Sequence, residues 1–210
     1  MGVMHARLLA LLLAAALGPP AAADDAPLLD EVQEGLPAPA FSLRTLNPEA
    51  SGETWIALDR FAGEEPDDPA SRLVVISFFA SWCEPCRREL PFLVQLDRMY
   101  REQGLRVLGV SIDREEPAIE AARKMTAAAS VAYPVLTDRF NFLARRYLGD
   151  QAPLPSVFLV RRDGTIARIE RGYAKDASQF LLAEVQAALG IAPARKAPAA
   201  APAKAAARAP

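Results

Sequence analysis

The two cysteines of this chain stand two residues apart, in Trp82-Cys83-Glu84-Pro85-Cys86, and the sequence holds no others. Residues 73–79 before them are apolar and β-branched, which predicts an interior strand. Residues 87–102 after them place leucines and a valine on one face of a predicted helix. A cysteine at a helix N-terminus faces unpaired backbone N–H groups and the positive end of the helix dipole, which favour its thiolate. The pair is therefore positioned for thiol–disulfide exchange.

The 210-residue chain divides into four predicted regions. Residues 1–23 contain a basic start, an apolar run and three alanines, the pattern of a secretory signal peptide cleaved after about Ala23. A retained anchor is the alternative, but the apolar run is short for a bilayer span, which takes about 20 residues. The other regions are a lead-in (24–34), one domain (35–190) and an Ala/Pro/Lys/Arg-rich tail that we expect to be disordered (191–210).

Composition argues against several kinds of function. His5 is the only histidine, and it lies in the predicted signal. The mature chain is therefore expected to lack the imidazole used by the usual zinc sites, by Cys-plus-His copper sites and by Ser-His or Cys-His pairs. We expect no metal, and no cofactor besides a redox-active Cys83–Cys86 disulfide. The chain has 26 acidic and 24 basic residues, and four of the basic ones lie in the tail, so an acidic body argues against nucleic-acid binding.

The order of predicted elements indicates an α/β fold. A strand hairpin comes first, then strand–helix–strand–helix, another strand–helix pair, and a last hairpin followed by a helix. Residues 47–52 are predicted to form a polar turn in the first hairpin, and Arg162-Asp163-Gly164 forms the turn of the last one. The final helix, residues 177–189, ends at Gly190, a residue type favoured there. We predict a central mixed sheet flanked by helices, with an N-terminal β-hairpin extension.

Three interpretations of the cysteines compete with redox catalysis. They are half of a zinc site, a structural disulfide, or two inert core thiols. The first lacks a second C-x-x-C, and a bridge that closes so short a loop constrains the unfolded chain little. In the redox interpretation Cys83 is exposed and attacks the partner disulfide. Cys86, one turn into the helix, is more buried and resolves the mixed disulfide.

The two residues between the sulfurs are predicted to tune the redox potential of the pair. Pro85 suits the first turn of a helix, where its missing N–H is no loss. Glu84 places negative charge beside the nucleophile, which opposes thiolate formation and predicts a more reducing pair. Arg87 and Arg88 act against this effect, so only the direction of the contribution from Glu84 is predicted.

Glu89 follows Cys86 by three residues and shares its side of the helix. It is the nearest candidate to accept a proton from the buried thiol. The alternative is an ordinary surface carboxylate paired with Arg87 or Arg88. Further along, Pro91 removes a backbone hydrogen bond from the helix and predicts a kink.

Residues 78–91 (FFASWCEPCRRELP) closely resemble the active-site segment of the TlpA/ResA-like family of exported thioredoxin-fold thiol–disulfide oxidoreductases. Residues 153–160 resemble the cis-proline segment of that family, and residues 35–41 resemble its N-terminal segment. The similarity covers about residues 35–190 and implies a thioredoxin-like fold. Without it, a cis bond before Pro155 would be expected at only about 5–6%.

The resemblance also implies residue roles. Cys83 would be the nucleophile, Cys86 the resolving thiol and Glu89 an active-site acid. Trp82, Leu154 and Pro155 are expected to contact the client protein. In one departure from thioredoxins, Ser77 stands where they keep a buried Asp. An acidic group expected near residues 113–115 is left unassigned.

The function that this resemblance implies is a periplasmic disulfide reductase. Its clients would be apocytochrome c or metal-centre assembly factors, its electrons would come from a membrane-embedded thiol reductase, and it would be a monomer. One alternative is a peroxiredoxin-like thiol peroxidase, but its P-x-x-x-T-x-x-C pattern needs Pro and Thr where this chain has Ile76 and Ala80. The other is a non-enzymatic thioredoxin-fold module that binds proteins or carries metal.

Overall fold

The structure is a computed structural model that describes residues 32–151, 153–172 and 177–192. The predicted signal peptide, most of the predicted lead-in and nearly all of the predicted tail lie outside these residues. Within the described ranges, no helix combines the length and the apolar character that a membrane crossing needs.

The elements follow the order that the sequence predicts. In the described residues the strands are β1 (Ser42–Arg44), β2 (Trp55–Ala57), β3 (Leu73–Phe79), β4 (Leu105–Ser111), β5 (Val135–Thr137), β6 (Ser156–Arg161) and β7 (Ile166–Arg171). The α-helices are α1 (Pro48–Ser51), α2 (Glu84–Tyr100), α3 (Glu116–Ala128), α4 (Phe142–Leu148) and α5 (Ala177–Leu189). Most boundaries lie one to three residues from the predicted ones.

Five strands form the central sheet in the order β5-β4-β3-β6-β7. The β3–β4 and β4–β5 pairs are parallel, whereas β3–β6 and β6–β7 are antiparallel. Strands β1 and β2 form a separate antiparallel pair, and a bridge between Thr45 and Leu136 connects the end of β1 to the sheet. The predicted mixed sheet and N-terminal hairpin are both confirmed.

The strand that leads to the cysteines lies at the centre of this sheet. Every residue of β3 is buried, which fits its continuous apolar sequence. Its Phe78 packs edge-on against Phe158 of β6, with ring centroids 5.7 Å apart, and at a tilt against Tyr147 of α4, with ring centroids 5.2 Å apart. Burying such a side chain contributes about 1.5–3 kcal/mol, so β3 is a rigid support for the turn that follows it.

Helix α2 begins at Glu84, three residues before the predicted start. Cys83 is its N-cap residue, and Pro85 occupies the first turn. The buried face includes Leu90, Leu93 and Leu96, which hold the helix against the sheet. The helix continues through Pro91 to Tyr100 without a break. The cysteine pair is therefore part of the helix start rather than of a loop before it.

The polar turn predicted at residues 47–52 is wrong, because the segment contains the one-turn helix α1. Pro48 starts it and Gly52, in the left-handed region at φ 76°, ends it. The side chain of Asn47 explains the difference. Its Nδ2 donates to the carbonyl of Tyr133 at 3.0 Å, and its Oδ1 accepts from the N–H of Val135 at 2.9 Å. These contacts fix the hairpin to the start of β5.

Candidate active site

The two cysteines form a disulfide where β3 ends and α2 begins. Cys83 and Cys86 are joined at an S–S distance of 2.09 Å, with their Cα atoms 5.3 Å apart. The N–H of Cys86 donates to the Sγ of Cys83 at 3.2 Å. That N–H is one of the orphan donors of the first helical turn, so the helix directs positive backbone polarity at the first sulfur. The predicted position of the pair at a helix N-terminus is confirmed.

The predicted exposure of Cys83 is wrong for this disulfide state. Cys83 is 5% exposed and Cys86 is 2% exposed, so both are buried and only their order matches the expectation. The bond to Cys86 and the N–H donor at 3.2 Å hold the first sulfur against the start of the helix. The exposed feature of the turn is instead Trp82, whose side chain is 70% exposed.

The residues between and beside the sulfurs are arranged as surface groups. The carboxylate of Glu84 lies 3.8 Å from the guanidinium of Arg87, and both side chains are largely exposed. Arg87 also donates to the carbonyl of Ser81 at 3.3 Å. The charge of Glu84 is thus partly offset by one arginine and screened by water, so its effect on the sulfurs is small.

The proline segment lies at the same end of the sheet as the disulfide. The Leu154–Pro155 peptide bond is cis, as the resemblance implied. Ser156 pairs with Phe78 in the β3–β6 ladder, which places Pro155 level with the end of β3. Leu154 is half-buried and packs against the core. Trp82, Leu154 and Pro155 thus occupy one end of the molecule, while their contact with a client stays a prediction.

Glu89 is buried, so the alternative of a surface carboxylate is wrong. The residue is 6% exposed, and the Ser77 hydroxyl donates to its Oε2 at 3.3 Å. Burial raises the pKa of Glu89 from 4.5 to about 7, and the Ser77 hydrogen bond acts in the opposite direction. A carboxyl group with this pKa exchanges its proton near neutral pH. It also lies one turn beyond Cys86 on the same side of α2.

Tyr133 belongs to the same buried interior, and no sequence motif pointed to it. It is 1% exposed, and its hydroxyl has no hydrogen-bond partner in the described part of the protein. Burial raises its pKa, and the charges of Glu89 and Asp97 add to that effect. The hydroxyl therefore stays neutral and adds no charge to the surroundings of Glu89.

Asp113 is one of the residues in the range 113–115, where the sequence analysis left an acidic group unassigned. It is 1% exposed and lies just past the end of β4. Its carboxylate accepts from the N–H of Ser81 at 2.9 Å, from the Ser81 hydroxyl at 2.8 Å and from the Ser111 hydroxyl at 2.8 Å. Since Ser81 begins the turn that contains Trp82 and Cys83, Asp113 fixes that turn to the neighbouring strand.

The residues described here contain no group of three or more His, Cys, Asp or Glu side chains that could hold a metal ion.

Comparison with known proteins gives one family and several relatives. Residues 35–169 match the model of the AhpC/TSA family. The chain is 29% identical over 99 residues to the thiol-disulfide oxidoreductase ResA of Geobacillus kaustophilus, which is 47% of this chain and 54% of that protein. It is 25% identical over 143 residues to ResA of Bacillus subtilis, covering 68% of this chain and 70% of that protein. With the Geobacillus relative, similarity thus spans about half of the relative's length.

Solved structures share the fold. A Chlorobium tepidum protein described as the thiol:disulfide interchange protein DsbE superimposes with a TM-score of 0.63 at 26% identity, over 76% of this chain and 100% of that one. A Bacteroides thetaiotaomicron protein described as a protein disulfide isomerase also has a TM-score of 0.63, at 22% identity, over 76% and 91% of the two chains. The second similarity shows the fold alone.

Proposed function

Since the chain belongs to the AhpC/TSA family, we propose that it is a thiol–disulfide oxidoreductase of the ResA type that reduces disulfides in client proteins. The observation that carries this proposal is the Cys83–Cys86 disulfide at the start of α2, with the buried carboxyl of Glu89 one turn beyond it. The helix start stabilises a thiolate, and Glu89 supplies a group that exchanges protons near neutral pH.

The proposed reaction has two exchange steps. The thiolate of reduced Cys83 attacks one sulfur of the client disulfide, which breaks the client S–S bond and releases one client thiolate. The thiolate of Cys86 then attacks Cys83, which breaks the mixed disulfide and releases the second client thiolate. The client gains two electrons, and the protein loses two as it forms the Cys83–Cys86 bond.

Glu89 serves the second step in this proposal. Cys86 is 2% exposed, so its thiol has little contact with water that could take its proton. The carboxylate of Glu89 accepts that proton as Cys86 attacks, and the protonated acid returns it to the Cys86 thiolate when the Cys83–Cys86 disulfide is next reduced. A pKa of about 7 suits a group that must both gain and lose a proton near neutral pH.

The proposed setting is the periplasm, with export directed by residues 1–23. The sequence of that segment supports the assignment. Apocytochrome c or metal-centre assembly factors are the proposed clients, a membrane-embedded thiol reductase is the proposed electron donor, and the chain is proposed to act as a monomer. Cofactor-free chemistry through the two sulfurs completes the proposal.

A peroxidase would need a different environment around the first sulfur. Ile76 and Ala80 occupy the positions of the expected Pro and Thr, and both are fully buried apolar residues. Neither side chain can donate a hydrogen bond to a bound peroxide. The site therefore favours disulfide exchange over peroxide reduction.

Single-turnover kinetics test the proposal. The protein, purified after export and reduced, is mixed with insulin or with hydrogen peroxide, and oxidation of the Cys83–Cys86 pair is followed by Trp fluorescence. We expect rapid oxidation by insulin. We also expect no reaction by Cys83→Ser, and a stable mixed disulfide with Cys86→Ser. Faster oxidation by peroxide than by insulin, at equal concentrations, would contradict the proposal and indicate a peroxidase.

A further inference from the structure

A cavity at the outer edge of the central sheet concentrates exposed aromatic side chains. We call it the edge cavity: it lies between β1, the start of α3 and residues 137–143, and its volume is about 700 Å³. Trp55, Phe140 and Phe142 line it and are 55%, 64% and 65% exposed. They are three of the six exposed large apolar side chains in the described residues. Such clustering marks an interaction site rather than scattered surface residues.

The lining of the edge cavity is positively charged, although the chain as a whole has a net charge of −2. The charged residues that line it are Arg44, Arg123, Arg139, Arg146, Glu116 and Asp138. The two carboxylates are already occupied. Asp138 accepts from the N–H of Ala144 at 2.7 Å, and Glu116 lies 3.7 Å from Arg139.

Two of these arginines keep their charge available. The guanidinium of Arg44 lies 5.6 Å from the centroid of the Trp55 ring, and Arg146 donates to the carbonyl of Ala40 at 3.3 Å. Neither forms an ion pair with a carboxylate among the described residues. An arginine stacked on an aromatic ring still presents its N–H edge to a carboxylate. The cavity thus offers apolar surface and cationic donors side by side.

The edge cavity opens at the same end of the sheet as the disulfide. Thr137 pairs with Ser111, and Ser111 pairs with Phe79, the last residue of the strand before the cysteine turn. Two strand spacings separate β5 from β3, which is about 10 Å. Cys83 follows Phe79 by four residues and Phe140 follows Thr137 by three, so the disulfide and the aromatic lining both come after these neighbouring strand ends. The cavity is thus placed to receive a client segment that lies several residues from the disulfide under attack.

We propose that the edge cavity binds an acidic segment of the client that carries a large apolar side chain, close to the disulfide under attack. The inference rests on the proposed function and gives it a client class. The apolar side chain packs against Phe140 and Phe142, while its acidic neighbours pair with Arg44 and Arg146. The chain's own C-terminal tail has the wrong charge for this position, since residues 191–210 contain four basic and no acidic side chains.

A binding experiment tests the cavity without any redox step. The probe is a cysteine-free peptide with Phe and Leu flanked by Glu and Asp, and its partner has Lys in place of every acid. Calorimetry on the oxidised full chain is expected to show the acidic peptide binding at least about tenfold more tightly. Arg44→Glu should weaken it about tenfold, and Phe142→Ser about fivefold.

Arg98→Glu is the matched control. It makes the same charge change at an exposed position near the C-terminal end of α2, the end away from the disulfide. It should leave binding of the acidic peptide unchanged. Equal binding of the two peptides, or equal loss in Arg44→Glu and Arg98→Glu, overturns the proposal. Dimerisation of the free chain that Arg44→Glu abolishes also overturns it, because the occupant would then be a second copy.

A kinetic experiment separates this proposal from the proposed function. Disulfide-containing versions of the two peptides are compared with 2-hydroxyethyl disulfide. This small neutral substrate is too short to contact the edge cavity while its disulfide is under attack by Cys83. Each disulfide is mixed with the pre-reduced protein in a single turnover. Arg44→Glu should lower the second-order rate constant for oxidation by the acidic peptide about tenfold and leave the rate constant for the small substrate unchanged. If the small substrate is reduced but the peptides are not distinguished, only the edge cavity proposal fails. If no disulfide is reduced while the acidic peptide still binds through Arg44, only the proposed function fails.

Discussion

Two buried carboxyl groups lie near the cysteine turn, and they differ in the number and length of the hydrogen bonds that they accept. Glu89 lies on α2 with one donor, the Ser77 hydroxyl at 3.3 Å. Asp113 lies past the end of β4 with three donors at 2.8–2.9 Å, from Ser81 and Ser111. Burial alone therefore does not decide what an acid does. One long hydrogen bond leaves Glu89 able to exchange a proton, whereas three short ones make Asp113 a fixed support.

The largest expected effect is on stability through Glu89. The folded protein binds the Glu89 proton more tightly than the unfolded chain does, since its pKa rises from 4.5 to about 7. The free energy of unfolding therefore falls as pH rises from about 4.5 to 7 and stays lower above it. Glu89→Gln should remove this loss and stabilise the oxidised protein above pH 7 by up to about 3 kcal/mol.

Guanidinium unfolding at pH 4.5, 6 and 7.5 measures this effect. The free energy of unfolding should differ less between pH 4.5 and pH 7.5 in Glu89→Gln than in the wild type. Glu102→Gln, at an exposed position beyond α2, is the control and should keep the wild-type dependence. An unchanged dependence in Glu89→Gln would show that Glu89 titrates normally and that the comparison with Asp113 is mistaken.

The next largest effect is on the release of the client. Glu89→Gln should slow resolution of the mixed disulfide by roughly 100-fold at neutral pH, since the Cys86 thiol loses its proton acceptor. The decay of a preformed mixed disulfide is the measurement, followed across pH. The wild-type rate should rise with pH around 7, and the variant should lack that step. A wild-type rate in the variant would assign the proton to water instead.

Substitution of Asp113 should lower the stability of the protein, whereas Glu89→Gln should raise it. Asp113→Asn leaves one oxygen to serve three donors and brings an N–H₂ group towards two hydroxyls and an N–H. We expect a loss of about 1–3 kcal/mol in the free energy of unfolding. The exposed Asp59→Asn is the control for chemical denaturation. A stable Asp113→Asn protein would remove Asp113 as a support of the turn.

The smallest expected effect concerns the single donor to Glu89. The Ser77 hydrogen bond lowers the pKa of Glu89, so Ser77→Ala should raise the Glu89 pKa further, by roughly half a pH unit. Carbon-13 NMR of the Glu89 carboxyl group measures the pKa directly. Ser111→Ala removes a hydroxyl that contacts Asp113 instead and should leave Glu89 unchanged. A fall in the pKa of Glu89 in Ser77→Ala would contradict the assignment of this donor.

Element types could be predicted from the sequence because each follows from local pattern. The continuous apolar run of β3, the Gly190 helix end and the hairpin turn at residues 162–164 all reflect nearest neighbours in the chain. The prediction of a polar turn at residues 47–52 was wrong because the contacts of Asn47 reach residues more than 80 positions away in the chain. A short polar segment gives no local sign of such a partner.

In the candidate active site, too, some features follow from local sequence and others depend on residues far apart in the chain. The place of the cysteine pair at a helix start follows from the adjacent strand and helix patterns. The cis bond at Pro155 followed from family resemblance alone, because most X–Pro bonds are trans. The role of Asp113 depends on Ser81, 32 residues earlier, and on the parallel pairing of β3 with β4. An acid directly after a buried parallel strand was the available signal, since such strand ends meet at one edge of the sheet.

The redox potential of the Cys83–Cys86 couple tests the central claim most directly. It is measured by equilibrating the protein with glutathione buffers and quantifying the reduced fraction. A disulfide reductase should have a potential near that of thioredoxin, about −270 mV. A value near that of the oxidant DsbA, about −120 mV, would contradict the account and indicate a protein that donates disulfides.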